Sequence, residues 1–310
     1  MIGFTKRLEA ACLAAGLALA PPAALGQDVR GQDALAARLG EASRALGQAD
    51  GPFPLLDEAG RLRIAEFVAG NALFTLAHEL GHAAIAEFDL PVLGREEDAA
   101  DAFATLSLLH IGTEFSHRVL VDAARGLILI AERDARLGAK PAFYGEHGLD
   151  QQRAYAIVCL MVGSDPAAFA DLAQRAGLPA ERGETCQIDF EQARTSWSRL
   201  LQPHFRGAAK PSFWERLFAP RGRATAGATP IAVSYGEAAG GLAPFRQAMQ
   251  SMRLLEEVAR FAGQSLAFPR PLTIEARLCG DPNAYWDPQR RSVVICYELL
   301  AFHAGLAPQR

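Results

Sequence analysis

Apolar residues recur every three to four positions from Leu62 onward, and this spacing predicts a long helix. The positions that carry the pattern are Ile64, Phe67, Val68, Phe74, Ala77, Leu80, Ile85 and Phe88. Asp89 and Pro91 end the predicted helix, because a proline disfavours helical backbone in the residue before it. After a short loop, Glu96 begins a second predicted helix that runs to about Leu109.

The rest of the N-terminal two thirds also has helical spacing and almost none of the alternation that is typical of strands. Further helices are predicted at 33–47, 115–137, 150–162, 166–176 and 189–202. Residues 27–206 therefore form one predicted helical region. Residues 207–229 are rich in Ala, Gly, Pro and Arg, a composition that is typical of a linker.

The pattern changes after this predicted linker. Strands are predicted at 231–235, 272–279 and 291–297, and helices at 241–263 and 298–304. Residues 280–290 contain many turn-forming residues and are predicted to be a connector between the last two strands. The predicted fold class is therefore α+β, mostly helical, with a small β-sheet contributed by the C-terminal third, 230–310.

The N-terminus has the pattern of a signal peptide. Lys6 and Arg7 precede an apolar run at 8–20, and the small residues Ala24 and Gly26 are suited to a cleavage site. The alternative is a membrane anchor, but the run is too short to span a bilayer comfortably. We therefore predict a signal peptide at 1–26, no stable membrane span after its cleavage, and an exported protein, either periplasmic or secreted.

Composition and charge narrow the choice of partners. The chain has 310 residues, of which 50% are hydrophobic and 21% charged, enough for a sizeable core. Its net charge of −4 and scattered basic residues argue against a nucleic-acid partner. The sequence leaves the oligomeric state open.

The cysteines predict disulfide bonds. Cys12 would leave with the signal peptide, and the even number that remains in an exported chain favours disulfides. Among three possible pairings we predict Cys159–Cys186 and Cys279–Cys296, since each pair brackets one compact segment. Free buried thiols are an alternative, whereas a zinc site made of these cysteines is disfavoured because no CxxC spacing is present.

The stretch "TLAHELGHAAIAEF" at 75–88 carries the candidate chemistry. His78 and His82 are four residues apart, so on a helix they share a face and can direct their imidazoles at one zinc ion. Glu79 can reach a water on that metal and act as the general base for hydrolysis. The alternative is that the three polar residues are an accident on a buried helix.

A catalytic zinc needs a third protein ligand, and the next predicted helix offers candidates. Glu97 and Asp101 lie on its apolar, inward face, where a carboxylate needs a partner. We predict that Glu97 binds the metal and that Asp101 orients a ligand histidine. Glu96 is the backup ligand. The alternative for Glu97 is a charge favoured by the helix dipole at the N-terminus.

The stretch 143–155 contains His147, Tyr144 and Tyr155, and hydrolysis of a peptide bond needs a group that stabilises the oxyanion. We assign this catalytic role to His147, and one of the tyrosines is an alternative. A structural reading is also open, in which Asp150 caps a helix and the residues around it are polar loop residues.

The HExxH helix followed by "GREEDAADAFA" resembles the gluzincin branch of zinc metallopeptidases. Together with "EHGLDQQRAYAIVCLMVGSDP", it resembles more closely the bacterial metallopeptidase family DUF4344, over residues 62–206. The resemblance implies a zincin-like fold, zinc held by His78, His82 and Glu97, and Glu79 as the base. It implies no particular substrate.

One feature departs from the family pattern. The resemblance implies a strand-rich segment before the HExxH helix, whereas the similar residues here, 278–300, follow it. The chain therefore resembles a circularly permuted member of the family. Since a zincin site needs a sheet beside its active-site helix, we predict that the segment 230–310 folds back and completes the catalytic unit.

The resulting prediction is an exported zinc metallopeptidase that hydrolyses a peptide or protein substrate, with Glu79 activating a zinc-bound water. The alternative is a zinc-binding regulatory or binding module that keeps the fold without proteolysis. A fourth protein ligand on the metal would favour that alternative.

Overall fold

The structure is a computed structural model that describes residues 35–50, 53–206 and 231–307. The predicted signal peptide at 1–26 and the predicted linker at 207–229 lie outside the described residues. From Arg38 onward, the described residues group into one unit.

Helices dominate the described part of the chain. Those of the helical region are α1 (35–46), α2 (Glu58–Phe88), α3 (Glu96–Ile111), α4 (Glu114–Arg136), α5 (Asp150–Ser164), α6 (Ala170–Arg175) and α7 (Ala180–Leu201). Those of the C-terminal third are α8 (Ala243–Met252), α9 (Leu254–Ser265) and α10 (Tyr297–Leu306). Among the described helices, none has the length and apolar character needed to cross a membrane.

The long helix α2 is the centre of the fold. It begins where the Asp57 side chain accepts a hydrogen bond from the Gly60 N–H at 2.7 Å, and it ends at Asp89 in the left-handed region with φ 51°. Buried residues recur along its whole length, because α3, α4, α9 and α10 and the strands of a sheet pack around it.

The close approach of α3 to α2 depends on a glycine. A Cβ atom placed on Gly81 would lie 3.2 Å from the Ala100 Cα and 3.3 Å from the Phe103 Cδ1, tighter than ordinary contacts. The absence of a side chain at this position therefore lets the two backbones pack closely, and it brings the first turns of α3 beside His78 and His82.

The sheet has four strands in the order β1-β2-β4-β3: β1 (Ile231–Tyr235), β2 (Leu272–Arg277), β3 (Ala284–Asp287) and β4 (Ser292–Cys296). Strands β1, β2 and β4 are parallel, and β3 is an antiparallel edge strand paired with β4. The central strands are largely buried. The predicted α+β class, mostly helical with a small sheet in the C-terminal third, is confirmed.

A buried ion pair joins the sheet segment to α2. The Glu87 side chain is 4% exposed, and it pairs with Arg291 and, at 3.4 Å, with Arg270. Arg291 also donates to the Pro271 carbonyl at 3.0 Å. Strands β3 and β4 themselves contact α2. The C-terminal third thus lies against the helix that carries the HExxH motif.

Both predicted disulfides are confirmed. Cys159–Cys186 joins α5 to α7, with Cα atoms 5.0 Å apart, and Cys279–Cys296 joins the residues after β2 to the end of β4, at 5.6 Å. The first lies in the core that α4, α5 and α7 share with α2.

Three local predictions were wrong. The connector predicted at 280–290 contains the edge strand β3. The helix predicted over 241–263 is interrupted at Arg253, which adopts φ 57° and separates α8 from α9. The helix predicted at 189–202 begins at Ala180.

The carboxyl group of Asp122 supplies a stability test. Asp122 lies in α4 where it packs on Gly70 of α2, and burial together with the charge of Glu66 raises its pKa to about 6. An acid with a raised folded-state pKa stabilises the fold most below its unfolded pKa near 4, and this stabilisation is lost as the pH rises through 6.

We therefore expect Asp122→Asn to raise the free energy of unfolding at pH 7 by about 1 to 2 kcal/mol, a figure that allows for partial solvent screening. Denaturant titrations at pH 4, 5, 6 and 7 measure this gain in the free energy of unfolding. It should grow between pH 4 and pH 6 and stay constant above pH 6. The control Glu132→Gln, exposed on the same helix, should change little at any pH. An equal gain at pH 4 and pH 7 would rule out the carboxylate as its source.

Candidate metal centre

Three donor atoms from α2 and α3 converge at one point. The Nε2 atoms of His78 and His82 are 3.1 Å apart, and the Oε2 atom of Glu97 lies 3.1 Å from the first and 3.5 Å from the second. Metal–ligand bonds of 2.0–2.1 Å in tetrahedral geometry place neighbouring donors about 3.4 Å apart. The triangle therefore has the dimensions of three ligands of one zinc ion.

The outer nitrogens of the two histidines show which way their lone pairs point. The Nδ1 of His78 is 2.8 Å from the Asp101 Oδ1, and the Nδ1 of His82 is 2.8 Å from the Glu96 Oε1. Ionised carboxylates only accept, so each Nδ1 carries a proton, and in the neutral form that binds a metal each imidazole would direct an Nε2 lone pair at Glu97. Three electron-pair donors facing one another need a cation between them.

The electrostatics indicate the same need for positive charge. Burial by itself lowers the pKa of His78, but hydrogen bonds to Asp101 and Glu97 outweigh it and raise the pKa to about 9. Burial raises the pKa of Glu97, yet the neighbouring imidazoles of His147, His78 and His82 hold it far below its usual range. A bound cation would take the place of the protons that these shifts favour.

Asp101 is fixed in turn by an arginine from another helix. Arg153 of α5 donates to both carboxylate oxygens of Asp101, at 2.8 and 2.9 Å. Although burial raises the pKa of Asp101, Arg153 and His78 lower it to about 2. Asp101 therefore stays ionised and holds the His78 ring in place, a contact that the predicted role in orienting a metal-binding histidine requires. The sequence analysis did not assign a role to Arg153.

Glu96 and Glu97 point in different directions. The Glu96 side chain is 49% exposed and reaches the outer nitrogen of His82, whereas Glu97 is 16% exposed and faces the inner nitrogens. The backup ligand Glu96 thus lies outside the point where the donors converge.

Glu79 lies beside this centre and against the sheet. It is 7% exposed, and its carboxylate accepts a hydrogen bond from the backbone N–H of Trp286 in the edge strand β3. Burial raises its pKa, against the opposing effect of the two motif histidines. The contact between Glu79 and Trp286 did not follow from the sequence, because the residues of β3 were predicted to be a connector.

His147 also reaches the centre, from the turn segment 137–149 between α4 and α5. Its Nε2 atom is 2.7 Å from the Glu97 Oε2, and its ring is stacked on that of His78 with centroids 6.3 Å apart. The nearby tyrosines weighed as alternatives are exposed, Tyr144 by 95% and Tyr155 by 39%.

A second cluster of metal-binding residue types has a structural explanation. Cys279, Cys296 and Glu298 lie together, but the two cysteines form a disulfide. The Glu298 carboxylate accepts hydrogen bonds from the N–H groups of Cys279 and Gly280, at 2.8 to 3.2 Å. This cluster therefore stabilises the loop after β2.

Comparison with known families gives one match. The family model DUF4344, whose description reads "Putative metallopeptidase", matches residues 55–201 and 241–307, more than half of the chain. The two stretches include the convergent donors as well as strands β2 to β4. No curated protein and no solved structure matches the chain.

Proposed function

This chain belongs to the DUF4344 family of metallopeptidase-like proteins, and on that basis we propose that it is a zinc-dependent peptidase that hydrolyses peptide bonds. The observation that carries the proposal is the convergence of His78 Nε2, His82 Nε2 and Glu97 Oε2 within 3.1 to 3.5 Å, while the Nδ1 of each histidine contacts a carboxylate on its other side. These three residues would hold the metal.

Zinc held by these residues would supply Lewis acidity toward the scissile carbonyl and would make water more acidic. Glu79 would take a proton from the attacking water and pass it to the leaving amine. Its burial supports this double role, because a raised pKa brings a carboxylate closer to the range in which it can both accept and donate a proton. His147 is proposed to donate a hydrogen bond to the oxyanion.

The edge strand β3 is proposed to bind the substrate backbone. The Cys296 N–H donates to the Asn283 carbonyl at 3.0 Å, so hydrogen bonds to β4 alternate from Asn283 onward. The backbone groups of Ala284 and Trp286 consequently face away from β4. The Trp286 N–H already reaches Glu79, so an extended peptide added at this edge would pass the proposed base.

The proposed location is outside the cytoplasm, either periplasmic or secreted. Two disulfides support it, because such bonds persist in oxidising compartments. The predicted signal peptide is consistent with the same location.

A second candidate function is a zinc-binding module without proteolysis. The observation that favours it is His147, which lies close enough to Glu97 and His78 to join them on a metal. A site permanently closed by four protein ligands would be structural. Metal bound without cleavage of any peptide would support this second candidate.

Metal analysis of paired variants tests the ligand set. We expect about one zinc per wild-type chain, and an affinity at least about 100-fold lower in Glu97→Ala, because a direct ligand is lost. The affinity of Glu96→Ala for zinc should fall only about tenfold, because Glu96 acts through His82. Competition with a chromophoric chelator measures both. A greater loss in Glu96→Ala than in Glu97→Ala would contradict the assignment.

Digestion of a peptide library tests the reaction. The wild-type protein should cleave peptides, lose activity to 1,10-phenanthroline and regain it with added zinc. His82→Ala should neither retain zinc nor cleave peptides. The control His117→Ala, which removes a ring that packs on Phe169, should retain zinc and cleave. A zinc-loaded wild type that cleaves nothing would overturn the peptidase proposal.

A further inference from the structure

We infer that His147 is a fourth, displaceable metal ligand, so that the site rests closed and a substrate gains access by displacing this imidazole. The inference rests on the proposed zinc site and specifies how that site is regulated. It differs from a permanently closed structural site, because His147 alone among the four donors comes from a turn segment.

The contacts of the Glu97 carboxylate are the first observation that supports this inference. Its Oε2 atom lies 2.7 Å from the His147 Nε2, in addition to the 3.1 and 3.5 Å to the two motif histidines. One donor atom each from His78, Glu97 and His147 lies within 4.8 Å of the others. All three imidazoles thus contact the same anionic donor, and a cation held by Glu97 would lie within reach of His147 as a further ligand.

The three histidine side chains are held in place by different contacts. His78 and His82 belong to a long helix, and carboxylates hold each of them through Nδ1 at 2.8 Å. His147 pairs through its Nε2 with Glu97, and its side chain is 53% exposed. It is therefore the ligand whose removal from the metal disturbs the fold least.

The segment that carries His147 is suited to move. Residues 137–149 contain neither helix nor strand, and Gly138 adopts φ 76°. The aromatic rings of Phe143 and Tyr144 near its tip are 77% and 95% exposed, so they do not hold the segment on the protein. Displacement of His147 would cost few buried contacts.

With His147 in contact with Glu97, little of the centre is accessible to solvent. His78 and Glu79 are 4% and 7% exposed. Once displaced, the His147 imidazole stays near the metal, where it can donate to the oxyanion as proposed above.

X-ray absorption of the zinc-loaded protein tests the inference, because it counts imidazole ligands. We expect three in the wild type and two in His147→Ala, with three retained in the control Tyr144→Ala. A peptide hydroxamate, which supplies two oxygens to zinc, should lower the wild-type count from three to two and leave His147→Ala at two. The affinity for zinc should fall about tenfold in His147→Ala and stay unchanged in Glu146→Gln.

The outcomes separate this inference from the proposed function. Two imidazoles in the free wild type would overturn the fourth ligand while leaving the peptidase proposal intact. Three imidazoles that persist with saturating hydroxamate would overturn the displacement. A wild-type chain that binds no zinc would overturn both the proposed function and the inference.

Discussion

Glu79→Gln is expected to lower the rate of peptide hydrolysis by about 10² to 10⁴-fold while the protein keeps its zinc, because the substitution removes a general base but no metal ligand. The fold should also be retained. The glutamine carbonyl oxygen can accept the hydrogen bond that the Trp286 N–H now donates to the carboxylate, and the two side chains have nearly the same shape.

The measurement compares kcat/KM and zinc content in the same preparations. The control is Glu58→Gln, an exposed glutamate at the start of the same helix, which should leave both quantities unchanged. Near wild-type turnover in Glu79→Gln would remove Glu79 from the mechanism. Loss of zinc in that variant would instead indicate that Glu79 helps to hold the metal.

Gly163→Ala is expected to lower the free energy of unfolding by about 2 to 3 kcal/mol. A Cβ atom at this position in α5 would lie 2.2 Å from the Cys186 carbonyl oxygen and 2.6 Å from the carbonyl carbon, distances that real contacts do not reach. Both atoms belong to the backbone of α7, which the Cys159–Cys186 disulfide fixes against α5. The two helices must therefore move apart.

The same substitution in α7 should act in the opposite direction. A Cβ atom on Gly183 meets nothing within 4 Å, so Gly183→Ala should stabilise the protein by about 0.5 to 1 kcal/mol through helix propensity. Denaturant titration under non-reducing conditions measures both variants. Equal effects of the two substitutions would show that the contact between α5 and α7 does not limit stability.

The sequence was sufficient to predict the two helices that form the site. The apolar spacing of α2 places His78 and His82 on one face, and the inward face of α3 indicates Glu97 and Asp101. Both inferences depend only on helical geometry. The choice between Glu96 and Glu97 depended on which face of α3 was inward, and the structure places Glu97 at the centre.

The sequence was insufficient where a structure depends on distant partners. Strand β3 has four residues between two turn-forming segments, 280–283 and 288–290, so local signals favoured a connector. It exists because it pairs with β4 and packs on α2. The break at Arg253 involves neither glycine nor proline, so no local signal in the sequence predicts it.

Both disulfides close short loops, with sequence separations of 27 and 17 residues, on opposite sides of 207–230. Among the described residues, no covalent cross-link therefore joins the helical region to the sheet segment. The proposed base Glu79 belongs to the helical region, and the strand β3 beside it belongs to the sheet segment. Two separately expressed polypeptides, divided within 207–230, would then have to reassociate before either could contribute to turnover, and the activity of such a split protein would depend on its concentration.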